Sequence, residues 1–341
     1  MVNDSTSTHS DKATKFYDLL SLDSPSAPKD DSTIRLSQLR RLILLEGLPD
    51  GQEGSDLRPP IWRLLLHLHH VPSPSDPADL TPLVHPLLDS DNYHNLVSRE
   101  PSPMFTKIRN DTFRTLATDQ EFLEKVGEDK LVRCLEAFVW RQIDQAQQPH
   151  IPHPIDSSVP YVQGCNVLAA PFLYVLPSQM EAWACFTSFI ENQAPRYIRP
   201  TLVGVHDGLQ LVDQCLLSLD PTLYAHLSRF NLSAELYAFP SILTFCAATP
   251  PLKEVLELWD FLLSFGCGLN VLCVVAQLWI IRSELLESKT PMKLLRTFPP
   301  LKSKEIIPLV VQFLGDLSPE LYDQVVRHPW DDEWKSEASS S

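Results

Sequence analysis

From Ser32 onward, apolar residues return every three or four positions, the period of helices with one buried face. In STIRLSQLRRLILLEG, Ser32 or Thr33 can cap the first turn, Ile34, Leu39, Leu42 and Ile43 supply the apolar stripe, and Gly47 provides the stop. Pro59 and Pro60 can open the next helix, IWRLLLHLHH, since proline is tolerated in a first turn. DKLVRCLEAFVWRQIDQ places Leu131, Leu135, Phe138 and Val139 on one face. Ser178 and Glu181 stand at capping-box spacing at the head of SQMEAWACFTSFIEN. Asp220-Pro221 and Ser318-Pro319 each begin a helix, and LKEVLELWDFLLSFG ends at Gly266. Period-two alternation and hairpin signals are missing, and thirty prolines punctuate the chain. The predicted fold is all-α, with a dozen or more helices.

Met1 to Asp31 is polar and poor in aromatics, which predicts a flexible tail ahead of a helical domain over residues 32–336. Ser24-Pro25 in that tail would suit a proline-directed kinase. Val71 to Pro86 carries five prolines and reads as a surface connection, as does QPHIPHPIDSSVP from Gln148 to Pro160. A chain of 341 residues, 44% hydrophobic, can bury the core of one large domain or two tightly joined lobes. The longest apolar run, near Leu269 to Ile281, is interrupted by Gln277 and too short to span a bilayer. It is expected to be a buried helix.

Charge and cysteine usage narrow the partners. With 28 Lys and Arg against 43 Asp and Glu, the net charge is -15, which disfavours phosphate-rich nucleic acid and favours a basic partner. The seven cysteines are odd in number and scattered, without a CxxC pair, as in a reducing compartment. The N-terminus has no basic segment followed by an apolar one, so no secretory signal is expected and the sequons at Asn3, Asn110 and Asn231 carry no weight. These features predict a cytoplasmic or nuclear protein with no membrane span.

Enzyme signatures such as GxxxxGK[ST], HExxH, GxSxG and GxGxxG are missing, so the chain is expected to hold no nucleotide, metal or other cofactor of its own. His67, His69 and His70 lack a neighbouring carboxylate or cysteine and read as a half-exposed helix surface. Four other patterns carry more. They are Arg58-Pro-Pro-Ile-Trp62 after Gly47-Leu48-Pro49, Ile108-Arg-Asn-Asp111-Thr-Phe-Arg114, Tyr161-Val-Gln163-Gly164, and Leu258-Trp259-Asp260-Phe261. On a helix, Asp111 would reach Arg114 three positions on, which alone could be an ordinary surface ion pair. Gln163 offers an amide that both donates and accepts, able to orient a water, or alternatively a structural turn eased by Gly164.

Taken together and in this order, the patterns resemble the TBC domain, a family of GTPase-activating proteins acting mainly on Rab-type GTPases. The resemblance spans roughly Gly47 to Phe298, and both diagnostic motifs, IxxDxxR and YxQG, are intact. It implies a two-lobed all-α fold and a small Ras/Rab-like GTPase partner that brings GTP and Mg2+. It also implies Arg114 as an arginine finger, Gln163 as a glutamine finger, Asp111 as the residue positioning Arg114, and Tyr161 and Gly164 as the frame of Gln163. TPPLKEVLELWDFLLSFG and PYVQGCNVLAAPFLY are similar to the fungal spindle-position-checkpoint branch of the family. That likeness implies a spindle-pole GTPase, a second activator subunit and a place at the spindle pole body. Three departures stand out. Cys165 replaces the usual Met, Phe239-Pro240 lies where many relatives carry Trp, and DGQEGSDL lengthens the stretch before Arg58. The alternative is a helical scaffold that binds a GTPase or a spindle-pole partner without catalysis, although such a scaffold needs neither finger.

Overall fold

The computed structural model describes residues 10–21, 29–68, 71–72, 82–83, 85–147 and 161–335. Among them are nineteen α-helices and one short ladder, in which Val71 pairs with Leu83 and Pro72 with Pro82. The all-α expectation holds. Two lobes are built around different central helices. In the first, Glu128–Ala146 is surrounded by Ser90–Val97, Phe105–Thr112, Cys165–Val175 and Gln179–Ser188. Its stripe of Leu131, Leu135, Phe138 and Val139 is buried as the spacing predicts. In the second, Val203–Leu219 packs on Asn270–Ile280, and Pro221–Arg229, Ser303–Asp316 and Pro319–Arg327 gather around that pair. Asn270–Ile280 is apolar on nearly every side, so it can only be a core helix. One continuous hydrophobic core runs through both lobes.

The lobes are braced by a buried ionic knot. Helix Leu252–Phe265 packs on Gln52–Leu65, which in turn touches Cys165–Val175. At this crossing the Arg58 guanidinium donates three bonds of 2.9–3.1 Å to the Asp260 carboxylate, and Trp62 Nε1 donates a fourth at 2.7 Å. Trp259 lies beside it, its ring centroid 6.0 Å from that of Trp62, and its Nε1 donates to the Phe245 carbonyl at 2.9 Å. Two of the four sequence patterns, RPPIW and LWDF, are therefore halves of one structural unit.

A second polar cluster closes the C-terminal end. Arg196 donates to Asp207 at 2.7 Å, to Asp332 at 3.1 Å and to the His328 carbonyl. His328 is fully buried, with Nδ1 2.8 Å from the Val325 carbonyl and Nε2 2.7 Å from the Tyr197 hydroxyl. The carbonyl can only accept, so Nδ1 carries the proton and Nε2 accepts from Tyr197. Burial pushes the His328 imidazolium down to about 4, so the ring is neutral.

Several local expectations change. The helix expected to start at Ser32 or Thr33 runs Lys29–Glu46, and its buried line is Arg35, Leu39 and Ile43, with Ile34 exposed. Packing of that stripe, repeating every four residues, outweighs the local capping signal. Pro59 and Pro60 do not open a helix but lie inside Gln52–Leu65. The N–H groups they lack would serve the carbonyls of Ser55 and Asp56, both exposed residues whose carbonyls water can satisfy. Residues 52–57 of the extra DGQEGSDL segment thus form the first turns of that helix, after Gly51 at its N-cap. The helix ends at Leu65, with His67 at φ +58°, so His67 does not share a helical face with its neighbours. His69 and His70 lie outside the described residues, as do 148–160 and most of 73–84. Of the segment expected as a tail, 1–9 and 22–28 lie outside the described residues. Between them Asp11–Ser21 is a helix with Ala13 and Phe16 buried, and Ser10 at its head donates to Glu53 through both its backbone N–H (2.8 Å) and its hydroxyl (2.6 Å). No helix among the described residues is long and apolar enough to cross a membrane.

Candidate functional site

Helix Phe105–Thr112 carries Ile108 and Asp111 into the core and releases the chain into a turn at Phe113. Arg114 stands on that turn. Its side chain is 54% exposed, while that of Asp111 is 6% exposed, and its Nη2 lies 2.5 Å from Asp111 Oδ1. An exposed guanidinium held from beneath by a buried carboxylate loses little freedom when a partner arrives. The second carboxylate oxygen, Oδ2, accepts the Tyr161 hydroxyl at 3.0 Å. Burial pushes the Tyr161 phenol far above its ordinary range, with Cys165 and Asp111 adding to the effect, so it remains a donor.

Tyr161 begins the second segment. Lys107 Nζ donates to the Tyr161 carbonyl at 3.3 Å and lies 5.6 Å from its ring centroid. Two residues on, Gln163 is exposed between half-buried Val162 and buried Gly164. Gly164 follows at φ +109°, where a Cβ would be strained and would stand 3.0 Å from Leu243 Cδ2. Helix Cys165–Val175 then begins, and its Leu168, Ala169 and Ala170 are buried. Gln163 is the exposed side chain of the 161–170 stretch. Burial pushes the Cys165 thiol up to about 12, so the cysteine in the usual Met position is an inert packing group.

The two segments are joined by side chains that local spacing does not single out. Asn166 is 4% exposed. Its Nδ2 donates to Thr115 Oγ1 at 2.8 Å and to the Asp111 carbonyl at 3.3 Å, and its Oδ1 accepts from Gly164 N at 3.2 Å. A lone amide in the apolar run CNVLAAPFLY was the available signal, since buried polar groups need partners. All five expected site residues, Asp111, Arg114, Tyr161, Gln163 and Gly164, thus fall on two segments linked by hydrogen bonds. Arg58, Trp62, Trp259 and Asp260 belong to the brace instead. Among the described residues, no group of three His, Cys, Asp or Glu could hold a metal.

The helical architecture and this pair of motif segments are those of a Rab-GAP domain. The sequence profile of the Rab-GTPase-TBC domain matches residues 55–286, and the chain belongs to that family. Among its relatives, cell division control protein 16 of Schizosaccharomyces pombe is 39% identical over 310 residues, covering 91% of this chain and 93% of that protein. The mitotic check point protein BUB2 of Saccharomyces cerevisiae is 37% identical over 298 residues, covering 86% and 91%. The solved Ypt/Rab-GAP domain of Gyp1p superposes with a TM-score of 0.65 at 18% identity, over 89% of this chain and 97% of that one. That likeness is one of fold.

Proposed function

We propose that this chain activates a small Ras/Rab-like GTPase by lending it Arg114 and Gln163. The observation that carries this reading is the exposed Arg114 held by buried Asp111, whose other oxygen takes the hydroxyl of Tyr161 in the Gln163 segment. The partner brings GTP and Mg2+. Arg114 neutralises charge growing on the β–γ bridging and γ-phosphoryl oxygens, an effect worth roughly 10³ to 10⁵ in rate for arginine fingers in general. Gln163 donates to and accepts from the attacking water, doing the work of the GTPase's own switch glutamine. No covalent bond to the chain forms; positioned charge and geometry supply the acceleration.

Likeness to cell division control protein 16 and mitotic check point protein BUB2 supports a role in restraining mitotic exit or septation. The GTPase would then act at the spindle pole, with a second activator subunit beside this chain. The test is single-turnover phosphate release from a GTPase whose switch glutamine has been replaced, with and without this chain and a candidate subunit. Stimulation that disappears in Gln163→Ala, with GTPase binding kept, is the expected result. Failure to stimulate the altered GTPase, while the unaltered one responds, would remove Gln163 from the mechanism.

A further inference from the structure

We infer that Asn166 is a positioning residue that sets the two fingers relative to each other through a single buried amide. The inference rests on the reading of Arg114 and Gln163 as fingers. It starts from a break in the helix that precedes Arg114. Were Phe105–Thr112 to continue, the Asp111 carbonyl would accept the Thr115 N–H. That N–H turns instead to the Thr112 carbonyl at 3.1 Å, which tightens the chain and puts Arg114 on a turn. The Asp111 carbonyl is left with side-chain donors, Thr115 Oγ1 at 3.0 Å and Asn166 Nδ2 at 3.3 Å. Asn166 therefore supplies part of what the helix gave up in order to turn Arg114 outward.

The same amide acts on the other finger. The Asn166 Oδ1 accepts the N–H of Gly164, the residue after Gln163, at 3.2 Å. This bond fixes the peptide between Gln163 and Gly164, which has left-handed φ. Both amide hydrogens and the amide oxygen of Asn166 are engaged, with donors facing the Arg114 segment and the acceptor facing the Gln163 segment. The orientation of the amide is fixed by its partners, since Gly164 N offers only a hydrogen and the Asp111 carbonyl only an acceptor. An aspartate would keep the bond to Gly164 and place a carboxylate against the Asp111 carbonyl. A leucine of similar size would break both sides.

The test uses the full chain with a GTPase that responds to it, and measures single-turnover hydrolysis across a range of chain concentrations. Asn166→Asp and Asn166→Leu are each expected to lower the saturating rate by about 10- to 100-fold, the scale on which misplacement of about 1 Å acts. The half-saturating concentration should change little, because neither substitution touches the docking surface. Amide exchange of Gly164, followed by nuclear magnetic resonance, gives a readout independent of activity. It should speed up strongly in Asn166→Leu and stay slow in Asn166→Asp. Thr115→Val, which keeps volume and removes one partner, should lower the saturating rate several-fold and covers the case in which the Asn166 variants fail to fold. A wild-type saturating rate in folded Asn166→Asp, or in Thr115→Val, overturns the inference. So does a weakened half-saturation with an unchanged rate. Arg114→Ala in the same assay separates the two levels. If it is fully active, the finger reading fails. If it is inactive while Asn166→Asp is wild-type, only the role of Asn166 fails.

Discussion

Replacing Asp260 with alanine should loosen the whole domain while leaving the chemistry of the fingers intact. Asp260 is 4% exposed at its side chain and Arg58 12%, so their contact is largely removed from water. The substitution strands a buried guanidinium that has lost three hydrogen bonds, and strands Trp62 Nε1 as well. Removing one partner of a buried ion pair costs about 3 to 5 kcal/mol. An orphaned neutral donor alone costs about 1 to 3 kcal/mol, and part of this overlaps with the first loss. A total near 4 kcal/mol is expected, which for a domain of this size lowers the Tm by about 8 °C, at roughly 2 °C per kcal/mol. The assay is a thermal melt followed by circular dichroism, paired with stimulated hydrolysis at a temperature well below the transition. The double replacement Arg58→Met with Asp260→Leu should recover much of the loss, because a packed apolar pair can stand in for a buried ionic one. A Tm within about 1 °C of wild type in Asp260→Ala would refute the brace, as would low-temperature activity that falls without a change in Tm.

Arg114→Ala should abolish stimulated hydrolysis with an unchanged melt, since the side chain is half exposed, and Arg114→Lys should recover little because a point charge cannot replace the guanidinium fork. Phosphate release and a melt on the same preparation check both statements. Asp111→Ala should cost less activity than Arg114→Ala, because the finger loses its anchor and keeps its charge; equal or greater loss at equal folding would reverse the assigned roles. The folded chain holds His328 neutral, at about 4, while the unfolded chain takes up a proton below its ordinary 6.5. Stability contributed by this site is thus complete above pH 6.5 and falls toward pH 4, by at most about 1.4 kcal/mol per pH unit. The Tm should drop between pH 7 and pH 5, and His328→Gln should flatten that slope.

Much of the site was legible because its parts are short-range. The three-residue step from Asp111 to Arg114 is helical geometry, and Gln163-Gly164 ahead of an apolar run marks an exposed side chain at a packed junction. Spacing could not reveal that the Asp111 carboxylate serves both Arg114 and Tyr161, the latter fifty residues from Asp111. Spacing gave RPPIW and LWDF no chemistry, and their pairing with each other across 202 residues appears only when the chain is folded. Asn166 was missed for a related reason, since its three partners lie on two segments and no periodicity links them. The Asp11–Ser21 helix was hidden by its polar composition, because it docks through buried Ala13 and Phe16 and through polar contacts of Ser10, Lys12 and Lys15 with Glu53, Leu48 and Glu46. Pro59 and Pro60 pointed to a helix start because local rules weigh the missing N–H and not the exposure of the carbonyls it would have met.

The knot between Arg58 and Asp260 also sets an order of events during synthesis. The contacts that build the finger site join residues about fifty apart, from Asp111 to Tyr161 and from Thr115 to Asn166. They can therefore form soon after the Cys165–Val175 helix is made. Asp260 follows about 90 residues later, which at about 5 to 20 residues per second is a delay of roughly 5 to 20 s. During that interval Arg58 lacks the Asp260 carboxylate, and the Gln52–Leu65 helix can pack on Asp11–Ser21 and Cys165–Val175 but not yet on Leu252–Phe265. In that interval the contacts of Asp111, Tyr161 and Asn166 can be in place while the Gln52–Leu65 helix still lacks its ionic tie to Leu252–Phe265. At that stage exposed apolar surface is open to chaperones, and closing the 202-residue loop is the step that ends it.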